Sequence, residues 1–230
     1  MIGLMAMAAA ISGQAAQAEH QMPPATTEAV SAVPAASVSG NVVTHPVEKI
    51  RVRVPANAAY AGAERFNLYG VADAEIHVFV EADADKKMQR LYWVQFESYL
   101  PSNDHRYNYA EGNTRFDLWG TPTWLVWGPR LTSAPSRPGG DRESVMRILS
   151  RAGYSIPPEV LNVRMVQMLD DPQGSGRGRR ELMIIYSEDL APTGKTVAEL
   201  AVDGKVTDAF MPLEKPLIDR ATSAVSVERF

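Results

Sequence analysis

Two runs of strand-forming residues, Glu75 to Glu81 and Arg90 to Leu100, flank a six-residue turn, Ala82-Asp83-Ala84-Asp85-Lys86-Lys87. This pattern predicts an antiparallel hairpin, because side chains alternate across a strand with period two and Asp and Lys clusters favour turns. Ile76, Val78 and Val80 share one side of the first strand, and Tyr92, Val94 and Phe96 share one side of the second. Bringing these apolar sets together pairs Ile76 with Phe96, Val78 with Val94 and Val80 with Tyr92. The other side then holds Glu75 opposite Glu97, His77 opposite Gln95, and Phe79 opposite Trp93.

Further elements follow from the same periodicities. Val47 to Val54 alternates, with Ile50, Val52 and Val54 on one side, and Pro55 ends it. Arg65 to Val71 is a second candidate strand. Phe116 to Trp127, broken at Gly120 and Pro122, reads as two short strands around a bend. Asp141 to Ala152 carries a helical stripe of Val145, Ile148, Leu149 and Ala152, with Gly153 as the stop. Val160 to Leu169 and Glu181 to Ser187 form another expected hairpin, and Thr196 to Leu200 and Pro216 to Val225 read as helical. The expected class is α+β: a mostly antiparallel, curved sheet with two or three helices packed on one face.

The N-terminus addresses the chain. Residues 1–18 combine an uncharged apolar run with the small-residue site Ala16-Gln17-Ala18, as in a secretory signal, although no Lys or Arg precedes the run. The expectation is export to the periplasm or outside of a bacterial-type cell. The apolar run is too short for a membrane span. Residues 19–45 are rich in Ala, Val, Ser, Thr and Pro without an aromatic residue, and read as a disordered linker. Residues 46–230 are expected to form a single domain.

Composition removes several kinds of chemistry. The absence of cysteine excludes disulfides, thiolate metal sites and cysteine nucleophiles. A formal net charge of −4 gives no basic footprint for nucleic acid. Thr193-Gly194-Lys195-Thr196 lacks the first glycine of a phosphate-binding loop, since Asp189 stands there. Gly174, Gly176 and Gly178 lie between two expected strands, where the dinucleotide fingerprint does not apply; the adjacent Arg177, Arg179 and Arg180 are read as solvated. No cofactor and no metal site is expected.

Two groups of residues are candidates for function. Glu75, His77 and Glu97, with Gln95, supply carboxylates and an imidazole suited to acid–base or metal chemistry, and would serve a hydrolase or metal-dependent enzyme. All four tryptophans, Trp93, Trp119, Trp124 and Trp127, fall in one short stretch beside Tyr107 and Tyr109. Packed aromatics are the ordinary contents of a core, yet partly exposed ones line apolar or sugar sites. The leading expectation is a non-enzymatic binding protein whose surface or pocket uses Trp93, Tyr107, Tyr109 and Trp119, with a partner protein or an apolar small molecule as ligand. A structural envelope component is the remaining alternative.

Overall fold

The computed structural model describes residues 29–230. The expected export signal and the first part of the expected linker therefore lie outside the described residues. In chain order the strands are β1 (Ser37–Ser39), β2 (Val42–His45), β3 (Ile50–Arg53), β4 (Ala59–Leu68), β5 (Ala72–Ala82), β6 (Met88–Tyr99), β7 (Tyr107–Asn108), β8 (Thr114–Leu118) and β9 (Thr121–Leu131). Helix α1 (Asp141–Ala152) precedes β10 (Glu159–Met168), β11 (Arg177–Gly178) and β12 (Arg180–Asp189). The last elements are α2 (Val197–Leu200), β13 (Ala201–Val202), β14 (Lys205–Val206), α3 (Met211–Ala224) and β15 (Ser226–Arg229).

Seven strands form one open antiparallel sheet in the order β4-β5-β6-β12-β10-β9-β8. It consists of two meanders, β4-β5-β6 and β8-β9-β10-β12, joined where β6 pairs with β12. A second sheet, β1-β2-β3-β15, brings residues 37–53 against the C-terminal strand. The α+β class and antiparallel character hold.

Both faces of the large sheet are buried. On one face Ile76, Val78, Trp93, Val166 and Met183 pack with Val145, Ile148 and Leu149 of α1. On the other, Phe79, Tyr92, Val94, Phe96, Leu182 and Ile184 pack with Val43, Ile50 and Val52 of the small sheet and Leu217 and Ala221 of α3. The helices are thus divided between the two faces. Helix α1 covers the residues expected of it; Gly140 is its N-cap, and Gly153 stops it in the left-handed region at φ 79°.

Two expectations are corrected. The β5–β6 register differs by one residue: Glu75 lies opposite Phe96, Ile76 opposite Gln95, His77 opposite Val94, and Val78 opposite Trp93. The expected register assumed one apolar and one polar face. These strands are central and covered on both sides, so apolar residues fill both faces and no longer mark one. The second correction concerns the linker, because its last residues form β1 and β2. Val43 is fully buried and His45 packs on Phe96 at 4.4 Å, so this polar segment gains order from the strand beside it.

Candidate functional site

The register separates the expected acid–base set. Glu75 and His77 face the small sheet, whereas Gln95 and Glu97 face α1. Glu75 is 3% exposed and fully engaged: Ala35 N donates at 2.5 Å, Ala36 N at 2.8 Å, and His77 Nε2 at 2.8 Å. Tyr60 completes the chain by donating its hydroxyl to His77 Nδ1 at 3.3 Å. Burial alone would raise the Glu75 carboxyl, but the hydrogen bonds from His77, Ala35 and Ala36 outweigh it and hold the group below its ordinary range. This arrangement fastens residues 35–36 to the sheet and commits both side chains to bonds within the fold.

Glu97 instead meets a carboxylate absent from the expected set. β6 and β12 pair so that Glu97 lies directly opposite Glu181, on the α1 face. Tyr107 donates its hydroxyl to Glu97 Oε1 at 2.6 Å, and Gln95 donates to Oε2 at 2.6 Å. Trp93 Nε1 in turn donates to Gln95 Oε1 at 2.9 Å. Burial pushes Glu97 up to about 7, and burial together with the Glu97 charge pushes Glu181 well above its ordinary value. Glu181 Oε2 and Arg164 Nε are buried without a hydrogen-bond partner. Two carboxyl groups so placed cannot both ionise cheaply, so the pair holds a proton at neutral pH.

A flap closes over this pair. β7 pairs with β11, and Tyr109 N donates to Gly176 O at 2.8 Å. The rings of Tyr99, Tyr107 and Tyr109 stack in sequence, with centroids 4.3 and 6.2 Å apart. Gly176 is required by its φ of +77° and by its contact with Trp124, where a Cβ would lie 2.7 Å away. The glycines therefore serve close packing. The neighbouring arginines are employed within the fold too: Arg179 bonds Leu100 O, and Arg180 pairs with Glu48.

Beside the acid pair, between α1 and the sheet, runs a groove of about 250 Å³. Leu91, Trp93, Val160 and Ile185 line its floor, and Val145 and Leu149 its helical wall. Leu131 and Met146 at its margin are 47% and 39% exposed. The polar lining includes Asn162, Ser187 and Arg130. Arg130, exposed at the groove margin, makes no side-chain hydrogen bond or ion pair among the described residues, and partial desolvation, with Arg164 nearby, lowers its pKa.

Of the four aromatic candidates, three are gathered on this face. Trp93 is shared between the groove and the acid pair, while Tyr107 and Tyr109 belong to the flap. Trp119 lies apart, half-buried against the cluster on the opposite face, in the bend between β8 and β9. Sequence reasoning missed Arg130 and Glu181. Glu181 shares the parity of Met183 and Ile185, which marks its face, but its partner is named only by the β6–β12 pairing. Among the described residues, no group of three or more His, Asp or Glu side chains is placed to hold a metal ion, and no helix is long and apolar enough to cross a membrane. Compared with protein-family models, curated proteins and solved structures, the chain matches none.

Proposed function

We propose that this chain is an exported, non-enzymatic binding protein for a small amphiphile, held in the groove between α1 and the sheet. The observation that carries the reading is the apolar groove beside Trp93, with exposed Leu131, Met146 and the unpaired Arg130 at its margin. Its volume lies just below the usual range of ligand pockets, about 300–1,000 Å³, which suits a compact apolar body. An exposed guanidinium at the groove margin, with no internal partner, can hold a carboxylate or sulfonate end group. The catalytic alternative loses its support, since Glu97 stands on the opposite face from Glu75 and His77, and both of these are occupied.

The test is titration of the native protein with anilinonaphthalene sulfonate, an apolar anion whose fluorescence rises on burial. The expected result is one saturable site, weakened about tenfold by Arg130→Glu, equivalent to about 1.4 kcal/mol, and abolished by Leu149→Trp, which fills the groove. Binding that ignores both substitutions would sink the reading.

A further inference from the structure

A second pocket, of about 570 Å³, opens on the other side of the molecule, where β5, β6 and β12 end beneath α3. Its charged groups are arranged in two layers. Beneath lie the carboxylates of Glu81, Glu188 and Asp189, whose side chains are 11%, 11% and 5% exposed. Above them lie the guanidinium groups of Arg90 and Arg220, whose side chains are 43% and 42% exposed. Arg90 donates to Glu81 at 2.8 Å, and Arg220 holds Glu188 through Nε at 3.0 Å and a second nitrogen at 2.5 Å. The carboxylates are fixed from below in turn: Tyr92 donates to Glu81 and Tyr186 to Glu188, each at 2.5 Å. Asp189 accepts from Ala191 N at 3.0 Å and pairs with Lys87.

We infer that this pocket is a second binding site, for a small polar molecule bearing a carboxylate or phosphate, which Arg90 and Arg220 would grip from two sides. The two arginines come from distant segments, β6 and α3, yet both lie within electrostatic reach of Tyr186. Bringing like charges together is costly unless anions stand between or above them. Glu81 and Glu188 occupy the lower side and lock the side chains in place, so the remaining N–H groups, facing the opening, are preorganised donors for an oxyanion. Asn57, Gln89 and Thr193, also lining the pocket, supply amide and hydroxyl groups suited to a hydroxylated body. The buried carboxylates cancel most of the far field, so recognition depends on short-range directional bonds rather than steering. The site is separate from the groove and does not depend on it.

The experiment is calorimetric titration of the full chain with sodium phosphate and with sodium gluconate, against sodium chloride at matched ionic strength. Saturable binding of either oxyanion above chloride is expected. Phosphate alone would name a phosphorylated ligand, gluconate alone a sugar acid, and both the shared oxyanion chemistry. Asn57→Glu, an exposed change at the pocket wall that touches no internal bond, should weaken binding at least fivefold without moving the unfolding midpoint. Arg220→Lys should weaken it as well, while anilinonaphthalene sulfonate binding stays unchanged in both variants. Heats no different from chloride, or affinity indifferent to Asn57→Glu, would overturn the inference.

Discussion

Two glutamate sites lie back to back in the same sheet and behave in opposite ways. Glu75 on β5 has three donors converging on it, and its carboxyl is held low. Glu97 on β6 and Glu181 on β12 face each other across a strand pair, and burial with nearby carboxylates drives both carboxyls up. Glu75 and Glu181 are buried and Glu97 is half-buried. The difference shows that donor supply and the charge of the neighbouring group decide, together with depth, whether a buried carboxyl carries charge. On the small-sheet face the charge serves as a clamp for residues 35–36. On the α1 face the proton is what makes packing tolerable.

That contrast is open to attack at several points. The largest effect is expected for Glu75→Ala, which strands two backbone N–H groups and His77. Urea unfolding at neutral pH should show a loss of about 3–5 kcal/mol, and a loss below about 1 kcal/mol would remove the clamp from the account. Glu181→Gln should act in the opposite direction, stabilising the protein by about 1–3 kcal/mol at pH 8, because the amide needs no proton to sit beside Glu97. A large destabilisation there would mean that Glu181 is satisfied as a charge.

The wild-type pH profile is a third test. Glu97 and Glu181 have folded-state values above the unfolded one, so the folded protein binds more protons. Their contribution is full below about pH 4.5 and is lost as pH climbs through the folded value of about 7 for Glu97. The thermal midpoint should therefore fall between about pH 5 and pH 8, and Glu181→Gln should flatten that slope. Glu75 works the other way: its contribution is present above about pH 4.5 and disappears as acid titrates it through its lowered value. The smallest effect concerns the aromatic residues. Trp119→Phe should change stability by less than about 1 kcal/mol yet reduce acrylamide quenching of tryptophan fluorescence. Trp93→Phe should raise the quenched fraction, since Trp93, 7% exposed, contributes shielded fluorescence.

Local pattern carried much of the architecture. The β5–β6 hairpin, helix α1, the bend between β8 and β9, and the β10–β12 pair all stand near their expected places, because period, caps and turn residues are encoded within a dozen positions. What failed was non-local. The hairpin register cannot be read from alternation when both faces are covered, and a slip of one residue was enough to move Glu97 to the opposite side from Glu75. β1 and β2 have the composition of a spacer, and their order comes from pairing with β3 and from burial of Val43 against the large sheet. Tyr107 and Gly176 sit in separate polar loops whose union as a flap depends on strands far apart in the chain. Trp93 was identified as a ligand candidate, but Arg130 became visible only once α1 was laid across the sheet.

The seam between the two meanders has a kinetic meaning. β4-β5-β6 pairs through short turns and β8-β9-β10-β12 through connections no longer than the one holding α1, whereas β6 must find β12 across a far longer stretch of chain. Glu97 and Glu181 stand opposite each other along that seam. Docking the two halves brings the carboxyl groups together and takes up a proton, so the slow step of refolding should run faster in mild acid than in mild alkali.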